Sequence, residues 1–105
     1  MVTKVICKVD KDNNFLFVSI EDHSGYEEKG KDIVCSGISA ITNGTINFLY
    51  AYYQKNCQIR ELPTKITIFT NESDPYYQLC LRMMIYQLKN LSNSYPDYLR
   101  VYEKN

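Results

Sequence analysis

The sequence predicts an α+β domain, a mostly antiparallel sheet carrying two packed helices, in the order β-β-α-(β)-β-α-β. Three observations carry that reading. Two apolar, β-branched runs, VTKVICKV (2–9) and FLFVSI (15–20), flank the turn-forming cluster DKDNN (10–14). Two longer stretches repeat apolar residues every three or four positions. Two further strand-like runs, KITIFT (65–70) and YLRVYE (98–103), follow the two helical stretches in turn.

Taken in order, the first two runs form a hairpin. After Ile20 the pattern breaks into EDHSGYEEKGK (21–31), a polar loop with Gly25 and Gly30 and mixed charge. Asp32 then has the character of a helix N-cap, because its side chain can accept from the unpaired N–H groups of a first turn. The helix is expected over about 33–55. Val34, Ile38, Ile41, Thr45, Leu49 and Tyr52 step along its predicted buried face. Gly37, Asn43 and Gly44 lower its intrinsic propensity, leave room for a bend near Asn43-Gly44, and make it depend on tertiary packing.

Residues 58–61 suit a short edge strand, with Pro63 interrupting before 65–70. Asp74-Pro75 is a helix start, Asp capping and Pro at the first helical position. Tyr76, Leu79, Cys80, Met83, Met84 and Leu88 mark the expected buried side of that helix, which ends between Asn90 and Ser94. Pro96 enforces the stop, and 98–103 closes the sheet.

Composition narrows the function. Twelve basic and twelve acidic residues cancel, Lys outnumbers Arg nine to three, and no block of like charge occurs. A basic footprint for nucleic acid is missing, so the ten tyrosines are assigned to core and interface rather than to base stacking. The N-terminal MVTKVICKVD is too polar for a signal peptide and no run reaches the length of a membrane span. A cytoplasmic protein with reduced Cys7, Cys35, Cys57 and Cys80 is expected. Their spacing contains no C-x-x-C pair and the chain has a single histidine, so neither a metal site nor a cofactor is expected. The sequons at Asn43, Asn71 and Asn90 carry no meaning in that compartment.

Chemistry concentrates at the start of the first helix. Cys35 falls at about its third residue, where unpaired N–H groups and the positive end of the helix dipole favour an anion. Cysteines in such settings have pKa values of roughly 3.5–7.5 rather than about 8.5. His23, the only histidine, lies at the end of the second strand, and the loop between them is long enough to bring the two side chains together. A histidine there can pair with the thiolate and then protonate a leaving amine. The N–H groups of Cys35 and Ser36 are candidate donors to an oxyanion. On spacing alone a plainer reading stands beside this one: a small buried thiol and a solvated loop histidine. For Cys7, Cys57 and Cys80, which lack a helix N-terminus, the plainer reading holds.

The segments DHSGY (22–26) and GKDIVCSGISA (30–40) resemble the ribosomal-processing cysteine protease (Prp) family. Its members carry Gly-His-Ala-Gly-Tyr, a short polar loop, and Gly-Lys-Asp-Ile-Val-Cys-Ala-Ala-Val-Ser-Ala. The His-to-Cys interval is the same, and Gly25, Tyr26, Gly30, Asp32, Ile33, Val34, Cys35, Ser39 and Ala40 fall in place. Length and element order suit the family over the whole chain, so 1–105 is expected to be one such protease domain. The specific motif covers only 22–40.

The resemblance implies a cysteine endopeptidase that removes the short, apolar N-terminal extension of large-subunit ribosomal protein twenty-seven during ribosome maturation. His23 and Cys35 carry over as the dyad. Gly25, Tyr26, Gly30, Asp32 and Ser36 carry over as supporting or substrate-loop residues. It also implies a homodimer, and a mobile loop between His and Cys for which the two glycines suit as hinges. Two departures stand out: Asp22 replaces the glycine before the histidine, and Ser36-Gly37 replaces Ala-Ala after the nucleophile. Two other readings compete. One is a non-catalytic ribosome-assembly or peptide-binding module of the same fold, against which both dyad residues argue. The other is thiol redox chemistry, which lacks a resolving cysteine at close spacing.

Overall fold

The computed structural model describes residues 2–21, 31–53, 58–70 and 74–104. Its elements are β1 (Thr3–Val9), β2 (Phe15–Glu21), α1 (Lys31–Tyr52), β3 (Gln58–Leu62), β4 (Lys65–Phe69), α2 (Pro75–Ser94) and β5 (Leu99–Lys104). The sheet runs β3-β4-β2-β1-β5, with every pairing antiparallel except the parallel β1–β5 pair. This is the α+β architecture expected, and the 58–62 edge strand is real.

The β1–β2 turn shows how short polar side chains replace ladder bonds. The Asp10 carboxylate accepts from the N–H groups of Asp12 (2.8 Å) and Asn14 (3.0 Å). Asn13 takes the left-handed conformation, φ 64°, that asparagine tolerates better than most residues. Register then shifts between Lys8 and Val9, so that Val9 pairs with Phe15 and Leu16 is the extra residue. Beyond that shift Val5 and Cys7 face the same side as their partners Ile20 and Val18, and Ile68 joins them from β4.

Both helices cover that side of the sheet, and their inner residues merge with it into one buried cluster. Asp74 caps α2 as expected, its carboxylate accepting from the N–H groups of Tyr76 (2.8 Å) and Tyr77 (3.3 Å). α1 runs unbroken through Asn43 and Gly44. Gly37 marks close approach of the two helices, since a Cβ there would lie 3.0 Å from a methyl of Leu91.

Three expectations need correction. α1 starts at Lys31 and ends at Tyr52 instead of covering about 33–55, so Asp32 sits inside its first turn rather than capping it. The buried face of α1 is Val34, Ile38, Thr42, Ile46 and Leu49, while Thr45 is half-buried and Tyr52 exposed. α2 is turned by about one residue, or about 100°, from its expected phase: Tyr77, Gln78, Leu81, Met84, Ile85 and Leu88 are buried, whereas Tyr76, Leu79 and Met83 are exposed. The reason is that α2 carries two apolar stripes. Periodicity finds both and cannot choose between them.

Candidate active site

Cys35 is the fifth residue of α1 as described, not the third. In an α-helix the N–H of each residue bonds to the carbonyl four residues earlier, so the N–H groups of Cys35 and Ser36 belong to the helix. That removes them as the expected oxyanion donors. The thiol keeps its other advantage. Helical Cα–Cβ bonds tilt toward the N-terminus, which aims Cys35 back at the turn whose unpaired N–H groups favour an anion.

Cys35 is half-buried and lines a cleft of about 160 Å³. One wall is α1 itself, through Ile38, Ser39 and Thr42; the floor includes Thr3 of β1 and Ile20 of β2. The opposite wall is the β3–β4 hairpin, from Leu62 through Pro63 and Thr64 to Ile66. Glu21 pairs with Lys65 across the β2–β4 ladder, and their side chains form an ion pair at 3.5 Å. The end of β2 therefore abuts the cleft, and Glu21, its last described residue, lies two positions before His23 in the sequence.

His23, Gly25, Tyr26 and Gly30 lie outside the described residues, as do Asp22 and Cys57. Asp32 occupies the first turn of α1, and Ser36 is exposed one residue beyond Cys35. Two of the other cysteines contrast with Cys35. Burial pushes the Cys7 thiol from 9.0 up to about 12, with Glu103 adding to the shift. Burial, and then the Asp74 carboxylate, raise Cys80 as well. Both shifts disfavour a thiolate, as a structural cysteine requires. Among the described residues no group of three His, Cys, Asp or Glu side chains is arranged to hold a metal ion, and no helix is long and apolar enough to cross a membrane.

Reading the sequence missed two parts of this cleft. Thr42 lies seven residues, two helical turns, after Cys35 and so on the same face, a spacing that could have identified it. The hairpin wall had no such signal, because its approach to α1 is purely tertiary.

Residues 1–100 match the family model described as Cysteine protease Prp. The chain is similar to the ribosomal processing cysteine protease Prp of Mycoplasma genitalium, 29% identical over 98 residues, which are 93% of this chain and 96% of that protein. It is also similar to the protein of that name from Bacillus subtilis, 29% identical over 97 residues, 86% and 87% of the two chains. The same fold occurs in the essential ribosomal processing protease Prp of S. aureus, solved with a substrate peptide: TM-score 0.89, 23% identity, 98% of this chain and 100% of that one. SMU.848 from Streptococcus mutans has it too, with a TM-score of 0.81, 23% identity, and coverage of 98% and 94%.

Proposed function

This chain belongs to the cysteine protease Prp family, and from that premise we propose that it removes the N-terminal extension of large-subunit ribosomal protein twenty-seven in the cytoplasm, using Cys35 and His23 as a dyad. The observation that best supports this reading is the position of Cys35, just past the first turn of α1 and on the wall of a cleft. His23 is within reach of the same place. It follows Glu21 by two positions, a span of at most about 7 Å of chain.

In the proposed reaction the Cys35 thiolate attacks the scissile carbonyl carbon and forms a thioester as the C–N bond breaks. The imidazolium of His23 gives its proton to the leaving amine. Water, deprotonated by the now neutral imidazole, attacks the thioester, and the thiolate and the new carboxylate are released. No cofactor enters this scheme. Gly25, Tyr26 and Gly30 belong to the loop that covers the substrate, and Asp32 and Ser36 support the nucleophile's turn.

The protein acts as a homodimer in this reading. Its candidate interface is the outer face of α2, where Tyr76, Leu79, Met83 and Tyr86 are 73%, 64%, 62% and 65% exposed on one stripe. Beside that stripe a hollow of about 350 Å³ is lined by Ala40, Gly44 and Phe48 of α1 together with Cys80 and Met83 of α2. Large side chains next to a hollow over small residues suit a two-fold contact, in which each copy fills the other's hollow.

The deciding experiment is cleavage of a synthetic peptide spanning the extension junction of the host's own ribosomal protein. Wild type is expected to cut one bond, and Cys35→Ala and His23→Ala to lose the activity. Binding without any cutting by the wild type would make the site a peptide-binding module and overturn the reading.

A further inference from the structure

The cleft beside Cys35 has a feature that nucleophile chemistry does not need: an apolar wall contributed by a distant hairpin. Leu62 closes β3 and is 53% exposed, although it lines the cleft with Ile20, Ile38 and Ile66. Pro63 and Thr64 make the two-residue turn, since Leu62 pairs directly with Lys65. Proline fixes its own backbone angle, so the turn holds Leu62 at the cleft at little conformational cost. The basic group at this rim, Lys65, is matched by Glu21 at 3.5 Å.

Size and depth define the occupant. An apolar cavity of about 150 Å³ holds a benzene molecule, so a cleft of about 160 Å³ takes one medium-to-large side chain. Along α1 it extends from Cys35 to Thr42, seven residues and therefore about 10 Å. An extended peptide covers that length in about three residues. At the far end Thr42 is 1% exposed, and its hydroxyl has no partner among the described residues. Native interiors rarely leave such a group unpaired. The cleft is thus lined half by apolar and half by polar side chains, its one charged lining group, Lys65, matched by Glu21, and the Thr42 hydroxyl at its back lacks a hydrogen-bonding partner among the described residues.

We infer that the β3–β4 hairpin forms a side-chain subsite of the peptide site, with Leu62 as its specificity-determining residue, for one uncharged side chain within about three residues of the cleaved bond. The subsite's distance from the cleaved bond rests on Cys35 being the nucleophile; its role in holding a peptide side chain does not. Leu62 acts by burying its exposed surface against the occupant, so it sets affinity and choice of peptide rather than the chemical step.

The test uses the Cys35→Ala protein, which holds the junction peptide uncut, with and without Leu62→Ala, and reads Kd by calorimetry. Because Leu62 is exposed, the melting temperature should stay the same while Kd rises about five- to tenfold. Leu62→Met, which keeps the bulk, should restore most of the affinity. An alanine scan of the three peptide residues on each side of the junction should find one position whose effect vanishes in Leu62→Ala. Unchanged Kd in Leu62→Ala, or effects that simply add at every peptide position, would overturn the subsite. If the wild type fails to cut while binding still depends on Leu62, the protease reading falls and the subsite stands. If the peptide neither binds nor is cut, both fall.

Discussion

Gln78 of α2 holds both backbone polar groups of Phe15, sixty-three residues away: its Oε1 accepts from the Phe15 N–H at 2.6 Å, and its Nε2 donates to the Phe15 carbonyl at 3.2 Å. Phe15 opens β2 beside the register shift, where the ladder to β1 is interrupted. The amide side chain does there what a neighbouring strand would do. Gln78→Leu keeps the packing volume but leaves two buried backbone groups unpaired, each costing about 1–3 kcal/mol. We expect a loss of about 3 kcal/mol in urea unfolding. A loss below about 1 kcal/mol would mean that water replaces the amide and that Gln78 does not fix β2.

The thiols give a second prediction. Near neutral pH iodoacetamide should label Cys35 first, Cys80 more slowly, and Cys7 only as the protein unfolds. Cys7 is fully buried and both it and Cys80 are shifted against ionisation, whereas Cys35 is half-buried just past the first turn of α1 and directed back toward it. Site-by-site mass spectrometry of the folded protein would report the order. Equal rates at all three would count against an activated Cys35.

Much of the fold is legible from local signals alone. The DKDNN cluster marks its turn because Asp10 and Asn13 satisfy it with their own side chain and backbone, and Asp74-Pro75 marks a cap that forms as expected. The phase of α2 is not legible. Met83 and Met84 are equally apolar, yet one is exposed and the other buried, and the choice depends on what the rest of the chain presents. Thr42 escaped because threonine favours no particular environment by composition. The Leu62 wall escaped because nothing near residues 58–66 refers to residue 35. The proposed chemistry rests on a local motif, 22 to 40; the shape of the cleft does not.

Thr42 provides a direct check on the back of the cleft. Its hydroxyl is buried with no partner among the described residues, so Thr42→Val exchanges an unpaired polar group for a methyl of similar shape. Stability should rise by about 1 kcal/mol, seen as a higher midpoint in denaturant at unchanged slope. Destabilisation instead would show that an ordered water or another group engages the hydroxyl in solution.

The raised Cys7 thiol has a consequence in alkali. In the unfolded chain it ionises near 9.0, and in the folded protein at about 12. Between those values the unfolded state has lost the proton that the folded state keeps, so unfolding is favoured as pH rises. The stabilisation is complete below pH 9 and is lost by pH 12, at up to about 1.4 kcal/mol per pH unit. Lysines and tyrosines titrate in the same window, so the measurement is a comparison: Cys7→Ala should show a flatter decline of unfolding free energy from pH 9 to 11 than the wild type. Parallel curves would mean that the Cys7 environment opens before the rest of the core.

The outer stripe of α2 makes the final prediction. Tyr76, Leu79, Met83 and Tyr86 recur at intervals of three and four, yet they point away from the core that their neighbours Tyr77, Leu81 and Met84 build. An exposed apolar helical stripe of this kind is costly in water unless something covers it. If a second copy does so, Met83→Glu puts a carboxylate into the apolar contact and leaves the monomer's interior untouched. Light scattering after gel filtration should then show a dimer for the wild type and a monomer for Met83→Glu, with far-UV circular dichroism unchanged. A wild type that is monomeric at high micromolar concentration would remove the self-association reading and leave the stripe to a different partner. Neither result bears on the cleft, because Cys35 and Leu62 line a different cavity from Met83.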